Sequence, residues 1–171
     1  MRIAITGAHK VGKTTLAEAL QEHLPDYEHR AEPYYELEEL GYEFSERPTV
    51  DDFIEQLEYS IKQLGTNATN VVFDRCPIDF LAYINAIDSR INTQSYYERV
   101  EEIMASINLL IFVPIEEPDL IVYKDTDLPE LRYRVNETIT EWVGDFGVEV
   151  LTVSGALHNR LAQVLDKVKQ S

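Results

Sequence analysis

The residue pattern with the clearest chemical meaning runs from Gly7 to Thr14 and reads Gly-Ala-His-Lys-Val-Gly-Lys-Thr. Its two glycines let backbone N–H groups turn inward around a phosphate, and the helix that follows adds the positive end of its dipole. In a loop of this spacing Lys13 reaches the β- and γ-phosphates, and the Thr14 hydroxyl ligates Mg²⁺. The alternative is a strand-to-helix turn that matches the pattern by accident. The expected nucleotide-binding residues are Gly7, Ala8, His9, Lys10, Val11, Gly12, Lys13, Thr14 and the following Thr15.

A second candidate is the pair Asp74 and Arg75, which follows the apolar run at residues 71–73. An acidic residue at the end of a buried strand occupies the position that holds Mg²⁺, directly or through water, in phosphoryl-transfer enzymes. The alternative role of Asp74 is to cap the helix that follows it. Arg75 has a planar guanidinium, which suits a clamp on a phosphate or a substrate. The metal ligands expected from the sequence are therefore Thr14 and Asp74.

Glu32 is the candidate general base. It follows the second predicted strand, and open α/β sheets place their ligands at the carboxyl ends of their strands. A carboxylate near the γ-phosphate can accept the proton of an attacking hydroxyl. The alternative is that Glu32 is one acid among many in a very acidic stretch. The expected catalytic residues are Lys13, Glu32, Asp74 and Arg75.

Cations and aromatic side chains elsewhere in the chain allow two interpretations each. In the first interpretation of the cations, Lys124, Arg132 or Arg134 reaches over the phosphates as part of a lid. In the second, Arg132 and Arg134 are surface residues that pair with Glu130 and Glu137. A group of aromatic side chains either lines a base-stacking pocket or forms core. These residues are Tyr34, Tyr35, Tyr59, Phe80 and Tyr83.

The elements that must position these residues are alternating strands and helices. Predicted strands cover residues 2–6, 27–31, 70–74, 109–113 and 148–153, the second being polar and typical of a sheet edge. Four predicted helices have both ends defined, at residues 15–24, 34–40, 131–142 and 156–169. A fifth runs from a cap at Thr49 to Gly65. The remaining two begin at Pro77 and at a capping box formed by Ser95–Glu98. In the last helix the expected inward residues are Leu157, Leu161, Val164, Leu165 and Val168. Residues 115–129 predict a long exposed loop of the kind that often forms a functional lid.

Composition limits the partners. The 171 residues include 31 Asp and Glu against 15 Lys and Arg, for a net charge of −16. Such a surface is a poor one for nucleic acid or anionic lipid, which proteins bind by neutralising phosphates with Lys and Arg. The sequence also shows no leader-like or membrane-spanning run, which predicts a cytoplasmic location. Cys76 stands alone and the four histidines lack ligand spacing, so Mg²⁺ is the only metal expected.

The chain resembles P-loop kinases of the nucleoside and nucleotide kinase type, in particular domains related to ribosylnicotinamide kinases and, more loosely, deoxynucleoside kinases. The resemblance is carried by G-A-H-K-V-G-K-T-T-L at residues 7–16, A-E-P at 31–33, V-V-F-D-R-C-P-I-D-F-L-A-Y at 71–83 and V-S-G at 153–155. It implies a three-layer α/β/α P-loop NTPase fold with five parallel strands in the order 2-3-1-4-5. The length of the chain predicts one domain over residues 1–171, and the loop composition predicts a lid at 115–134.

Site roles follow from the same resemblance. In deoxynucleoside kinases a Glu-Pro after the second strand supplies the base, which places that role on Glu32. The resemblance also places adenine contacts at Ser154 and Gly155. Those enzymes carry Glu-Arg-Ser where this chain has Asp74-Arg75-Cys76, which leaves Asp74 as either a Mg²⁺ ligand or a substrate-hydroxyl binder. Their lid is arginine-rich, whereas residues 115–129 offer only Lys124.

Two functions are consistent with these features. The first is an ATP-dependent phosphotransferase acting on a hydroxyl of a small, nucleoside-like metabolite, with ATP and Mg²⁺ as cofactors and Arg132 as a nucleotide-binding lid cation. The second is an ATP-binding or ATP-hydrolysing regulatory module without a phosphoryl acceptor. A kinase needs Glu32 and an enclosed acceptor pocket, and a regulatory module needs neither. The sequence leaves the oligomeric state open, a homodimer included.

Overall fold

Five parallel strands form the centre of the protein, whose computed structural model describes residues 1–119, 124 and 128–170. The strands are β1 (Arg2–Thr6), β2 (Glu28–Arg30), β3 (Val71–Asp74), β4 (Leu109–Phe112) and β5 (Glu149–Thr152). They pair in the order β2-β3-β1-β4-β5, which confirms the predicted order. Ile5 of β1 is in register with Asp74 of β3 and Ile111 of β4, so the ends of the three central strands lie side by side.

Seven helices connect and cover these strands in the described part of the chain. They are α1 (Lys13–His23), α2 (Pro33–Glu39), α3 (Val50–Leu64), α4 (Pro77–Ile87), α5 (Gln94–Met104), α6 (Pro129–Trp142) and α7 (Leu157–Lys169). The helices pack in two groups. In the first, α1 packs against α7. In the second, α3 packs against α2, α4 and α5, and α6 packs against α4. The result is the expected three-layer α/β/α arrangement of a P-loop fold.

The core lies on the three central strands because their side chains are apolar on both faces. β3 and β4 are buried at every position, and β1 from its second residue onward. Strands covered by helices on both sides of a sheet have this continuous apolar pattern. The edge strands β2 and β5 are only partly buried, as the polar sequence of the second strand predicts.

Helix ends show where local sequence signals succeed and fail. Thr49 caps α3 as predicted, since its hydroxyl accepts from the Asp52 N–H at 3.3 Å and its own N–H donates to Asp52 Oδ2 at 2.9 Å. The capping box predicted at Ser95–Glu98 is wrong, because α5 begins at Gln94. The N-cap is Thr93 instead of Ser95, two residues earlier, and the side chain of Asn92 accepts from the Gln94 N–H at 3.0 Å.

The prediction for Leu157 is wrong, and the predicted lid lies partly outside the described residues. Leu157 is 40% exposed instead of inward-facing, because it is the first residue of α7, whereas Val164 near the middle of the helix is buried. Of the predicted lid at 115–134, residues 120–123 and 125–127 lie outside the described residues, and α6 already begins at Pro129. Within the described residues, no helix combines the length and apolar character needed to cross a membrane.

Candidate functional site

The loop at residues 7–12 joins β1 to α1 and adopts a backbone that depends on glycine. Gly7 has φ +150°, and a Cβ atom there would lie 2.4 Å from the Val113 carbonyl oxygen. Gly12, the N-cap of α1, has φ +89°, and Lys10 also has a positive φ of 57°. Left-handed residues alternating with right-handed ones turn successive N–H groups toward a common concavity, which is an anion-binding geometry. The positive φ values at Lys10 and Gly12, two residues apart, are consistent with this geometry.

Basic side chains hold the carbonyl oxygens of this loop. Lys13 Nζ donates to the Ala8 oxygen at 2.5 Å, and Arg132 Nε donates to the His9 oxygen at 2.8 Å. The Val11 oxygen accepts from Arg160 Nη1 at 2.6 Å. Several elements distant in sequence therefore fix the loop conformation.

Asp79, which sequence reasoning missed, ties the loop to α4. Its fully buried carboxylate accepts from the Gly7 N–H at 2.9 Å and from the Cys76 N–H at 3.0 Å. Burial raises the pKa of this carboxyl, while Lys13 and Arg75 oppose that rise. The available signal was its place in the first turn of a helix that begins at Pro77, where an acid can accept from N-terminal N–H groups.

Tyr83, on the same helix, connects the loop to the neighbouring pocket. Its hydroxyl accepts from the His9 N–H at 2.8 Å and lies 2.7 Å from His9 Nδ1. Its ring stacks on Phe53 with the centroids 4.5 Å apart, and the Arg75 guanidinium lies 5.8 Å from the ring centroid. Burial raises the pKa of Tyr83 to about 12, so the hydroxyl stays protonated near neutral pH.

Lys13 is buried inside the loop and is 4% exposed. Desolvation, with a smaller contribution from Arg75, lowers the pKa of its ammonium group from 10.5 to about 8. The nearby carboxylates of Asp79, Glu32 and Asp74 act in the opposite direction. A buried cation in this environment gains from a bound polyanion, which would replace the lost hydration.

Asp74 and Thr14 offer the oxygen ligands of a candidate Mg²⁺ site. The Thr14 hydroxyl hydrogen-bonds the Asp74 carboxylate, which opposes the rise that burial causes in the pKa of Asp74. Asp74 Oδ1 is buried and has no hydrogen-bond partner among the described residues. An unpartnered carboxylate oxygen beside a hydroxyl offers the hard oxygen ligands that Mg²⁺ prefers. No cluster of three or more His, Cys, Asp or Glu side chains suited to a metal occurs in the described residues, so nucleotide phosphates and water would complete the coordination.

Glu32 and Arg75 face each other across the ends of neighbouring strands. Arg75 Nε donates to Glu32 Oε1, and Arg75 Nη1 lies 3.8 Å from Asp79 Oδ1. Burial lowers the pKa of Arg75, but the charges of Glu32 and Asp79 outweigh it, so the net pKa is raised and the guanidinium is charged. Arg75 also has φ +80°, an unfavourable conformation for a residue with a side chain. Such backbone strain is common at functional sites.

A pocket of about 250 Å³ opens beside the phosphate loop. Residues that line it include His9 and Lys10 of the loop together with Glu32 and Arg75. Much of the remaining wall consists of aromatic and polar side chains from the surrounding helices and loops: Tyr34, Phe44, Asp52, Phe53, Gln56, Phe80 and Tyr83. Of the predicted aromatic set, Tyr34, Phe80 and Tyr83 therefore line the pocket, whereas Tyr35 is 56% exposed and the Tyr59 hydroxyl donates to Glu36 at 3.3 Å outside it.

A smaller cavity of about 170 Å³ lies on the other side of the loop, between Lys10, Ile115 and Arg160. Beside it, the Gly155 N–H donates to Glu116 Oε1 at 2.6 Å, so the turn before α7 is joined to the segment after β4. This places Gly155 on the phosphate-loop side of the sheet. Glu116 and Arg160 are further residues of this region that sequence reasoning missed.

The three candidate lid cations differ in position. Arg132 is 1% exposed, and its Nη1 donates to Asp119 Oδ2 at 2.5 Å in addition to its contact with the loop. It is therefore not the surface residue of the alternative interpretation. Arg134 and Lys124 are exposed. Cys76 is a buried residue at the N-cap of α4, and burial raises the pKa of its thiol well above the ordinary value.

Solved structures share this fold. A deoxyadenosine kinase from M. mycoides is 17% identical, with a TM-score of 0.67 and coverage of 100% of both chains. A thymidylate kinase from Ehrlichia chaffeensis is 15% identical, with a TM-score of 0.70 and coverage of 100% of this chain and 98% of that one. NadR in complex with NR is 16% identical, with a TM-score of 0.67, and the match covers 98% of this chain and 50% of NadR.

Sequence comparisons give the family. No functionally curated protein sequence is significantly similar to the chain. Residues 2–160 match the model of the AAA_28 family, which is described as an AAA domain. This match begins at β1, contains the phosphate loop and ends at Arg160, and so it spans nearly all of the structure. The chain therefore belongs to the AAA_28 family of P-loop domains.

Proposed function

We propose that the protein is an ATP-dependent phosphotransferase that transfers the γ-phosphoryl group to a hydroxyl of a small, nucleoside-like metabolite. The observation that carries this proposal is the position of Glu32. Its carboxylate lines the aromatic pocket together with His9 and Lys10 of the phosphate loop. A carboxylate at the boundary between a phosphate site and a small-molecule pocket has the location that a general base needs.

The phosphate loop would bind the triphosphate through its inward N–H groups and Lys13. Lys13 would exchange its contact with the Ala8 carbonyl for one with the β- and γ-phosphates. The Thr14 hydroxyl and the Asp74 carboxylate would hold Mg²⁺, which when bound offsets the negative charge on the phosphates. Gly155 and the segment after β4 would lie near the base of the nucleotide.

In the reaction, the acceptor hydroxyl oxygen forms a bond to the γ-phosphorus. The bond from that phosphorus to the β–γ bridging oxygen breaks at the same time, and ADP leaves with the electron pair. Glu32 accepts the hydroxyl proton. Arg75 orients the carboxylate through its Nε, and its buried Nη1 lies 3.8 Å from Asp79 Oδ1, which ties the pair to α4.

The chemistry of the pocket supports a flat, aromatic acceptor. The rings of Phe53 and Tyr83 stack at 4.5 Å, those of Tyr34 and Phe44 stack at 4.3 Å, and Gln56 adds a side-chain amide to the wall. The pocket volume of about 250 Å³ lies just below the range of roughly 300–1,000 Å³ for small-ligand sites, so the acceptor would be small. The fold is shared with a deoxyadenosine kinase and a thymidylate kinase, proteins whose names give nucleoside and nucleotide substrates. These observations favour the kinase over a regulatory module, which needs neither Glu32 nor a pocket.

A thermal-shift screen tests the proposal. The protein is heated with ATP, GTP and Mg²⁺, alone and with a panel of nucleosides and nucleotides, because a ligand that binds the folded state raises the melting temperature. We expect a shift with ATP and Mg²⁺ that increases with one acceptor and is lost in Lys13→Ala. A nucleotide shift that no acceptor changes would favour the regulatory module, and the lack of any nucleotide shift would contradict both functions.

A further inference from the structure

A peptide carbonyl of the phosphate loop is held by a residue 149 positions away in the sequence. Arg160, on α7, donates Nη1 to the Val11 oxygen at 2.6 Å. Its side chain is 14% exposed, and its Nη2 lies 3.2 Å from Glu116 Oε1. A hydrogen bond from a charged, largely desolvated donor is stronger than one made in water. The contact is therefore well placed to restrain the loop.

We propose that Arg160 is a positioning residue for the nucleotide phosphates, acting through the Val11–Gly12 peptide. The C=O and N–H of a trans peptide lie in one plane and point in opposite directions. Because the Val11 oxygen faces Arg160, the N–H of Gly12 faces away from α7. In a loop that turns its N–H groups toward a bound phosphate, this holds one donor in the binding orientation before the nucleotide arrives. The inference rests on the proposed nucleotide binding.

Gly12 is required by its backbone conformation. Its φ is +89°, which residues with side chains rarely adopt. A Cβ atom at this position would lie 3.4 Å from Arg160 Nη1, an ordinary van der Waals distance. The second glycine of the motif therefore turns the backbone so that the Val11 carbonyl reaches Arg160, and the guanidinium itself leaves room for a side chain.

Glu116 fixes the direction of Arg160. Its Oε1 accepts from Arg160 Nη2 at 3.2 Å and from the Gly155 N–H at 2.6 Å. One carboxylate therefore connects the segment after β4, the turn before α7 and, through Arg160, the phosphate loop. A change at Glu116 should loosen the guanidinium without removing its charge.

Calorimetric titration of the full chain with Mg²⁺ and either ATP or inorganic tripolyphosphate tests the role of Arg160. Tripolyphosphate probes the phosphate site alone, since it has no base or ribose. We expect Arg160→Met to weaken both ligands by a similar factor of about 10 to 100, as for the loss of one hydrogen bond to a charged group. Arg160→Lys should recover part of this loss, and Glu116→Gln should weaken both ligands by a smaller factor.

Arg99→Met is the matched control, because Arg99 forms a two-bond pair with Glu58 on the surface and does not contact the loop. It should bind both ligands as wild type does. Amide hydrogen exchange gives a second measurement: in Arg160→Met, exchange should increase at residues 11–13 and stay unchanged in the middle of α7. Wild-type affinity of Arg160→Met for tripolyphosphate, or a loss confined to ATP, would overturn the inference alone. A wild-type protein that binds neither ligand would remove the proposed function as well.

Discussion

Arg75 donates its Nε to Glu32 Oε1, and this ion pair joins the residues that follow two neighbouring strands, β2 and β3. Both side chains are largely buried, with 10% of Arg75 and 16% of Glu32 exposed. A carboxylate with a fixed partner keeps one orientation, which is what a proton acceptor needs at the moment of reaction. The pair therefore holds Glu32, the proposed base, in a defined position at the pocket wall.

Replacing Glu32 tests its proposed role as the base. Glu32→Gln keeps the size and a hydrogen-bond acceptor but removes the basicity, so kcat should fall by about 10²- to 10⁴-fold while ATP affinity changes little. Steady-state kinetics and calorimetric titration measure the two quantities. Glu36→Gln is the control: Glu36 lies on α2, just after Glu32, but its carboxylate accepts from the Tyr59 hydroxyl, so kcat should stay near the wild-type value. Equal turnover by Glu32→Gln and wild type would exclude Glu32 as the base.

Lys13 should destabilise the ligand-free protein while it enables nucleotide binding. Its pKa is about 8 in the folded state and 10.5 unfolded, so burial of the charged form costs stability at pH 7. We expect Lys13→Met to raise the free energy of unfolding at pH 7 by about 1–3 kcal/mol and to abolish ATP binding. Urea denaturation and calorimetric titration measure these effects.

The pH dependence of this difference has a defined sign. Between pH 8 and 10.5 the unfolded state binds more protons at Lys13 than the folded state, so wild-type stability rises with pH through this window. The advantage of Lys13→Met should therefore shrink as the pH increases from 8 toward 10.5. A stability difference that is constant over this range would show that desolvation of the ammonium group is not its cause.

Gly7 should be intolerant of any side chain. A Cβ atom there would lie 2.4 Å from the Val113 oxygen in the backbone next to β4, and φ is +150°. Gly7→Ala must shift either the loop or β4, and we expect a loss of about 2–4 kcal/mol in the free energy of unfolding. Gly144→Ala is the control, since its Cβ would meet nothing within 4 Å. Urea denaturation of both variants without nucleotide measures the difference, and equal stability would refute the steric argument.

Gln56 is expected to recognise the acceptor. It is buried in the pocket wall, and its amide nitrogen donates to the Asp52 carbonyl at 3.1 Å, which fixes the side chain. Gln56→Leu should weaken acceptor binding by about 1–3 kcal/mol, because a polar group of the ligand loses its partner, and leave ATP affinity unchanged. Gln63→Leu provides the control, since Gln63 lies further along α3 and donates to the Ala31 carbonyl. If both variants bind the acceptor identically, Gln56 does not contact it.

The sequence predicts much of this fold because its strongest signals are local. Three central strands are continuous apolar runs, and the glycine spacing at residues 7–14 allows few other structures. The predicted start of α5 is wrong because the helix begins at Gln94, whose N–H donates to the side chain of Asn92, a residue outside the predicted capping box. Leu157 matches the helical period but is the first residue of α7, where it is 40% exposed.

The candidate site was predictable only in part, for a related reason. Lys13, Glu32, Asp74 and Arg75 each follow or begin an element, and parallel strands bring such positions to one edge of a sheet. Three other residues form hydrogen bonds with the loop from far along the chain. The separations are 72 residues for Asp79, 74 for Tyr83 and 149 for Arg160. Contacts of this separation depend on how the helices pack, which a local pattern does not specify. The roles of all these residues, the single domain and the cytoplasmic location stay predictions.

The most direct test is transfer of the labelled γ-phosphoryl group of ATP to a panel of nucleosides and related hydroxyl compounds, with products identified by mass spectrometry. Wild-type protein should phosphorylate at least one compound, and Lys13→Met and Glu32→Gln should lose that product while Glu36→Gln retains it. The contradicting result is that no compound in the panel is phosphorylated although the protein binds ATP, or although wild type and Glu32→Gln hydrolyse ATP equally. That result would favour a regulatory ATP-binding module over the phosphotransferase.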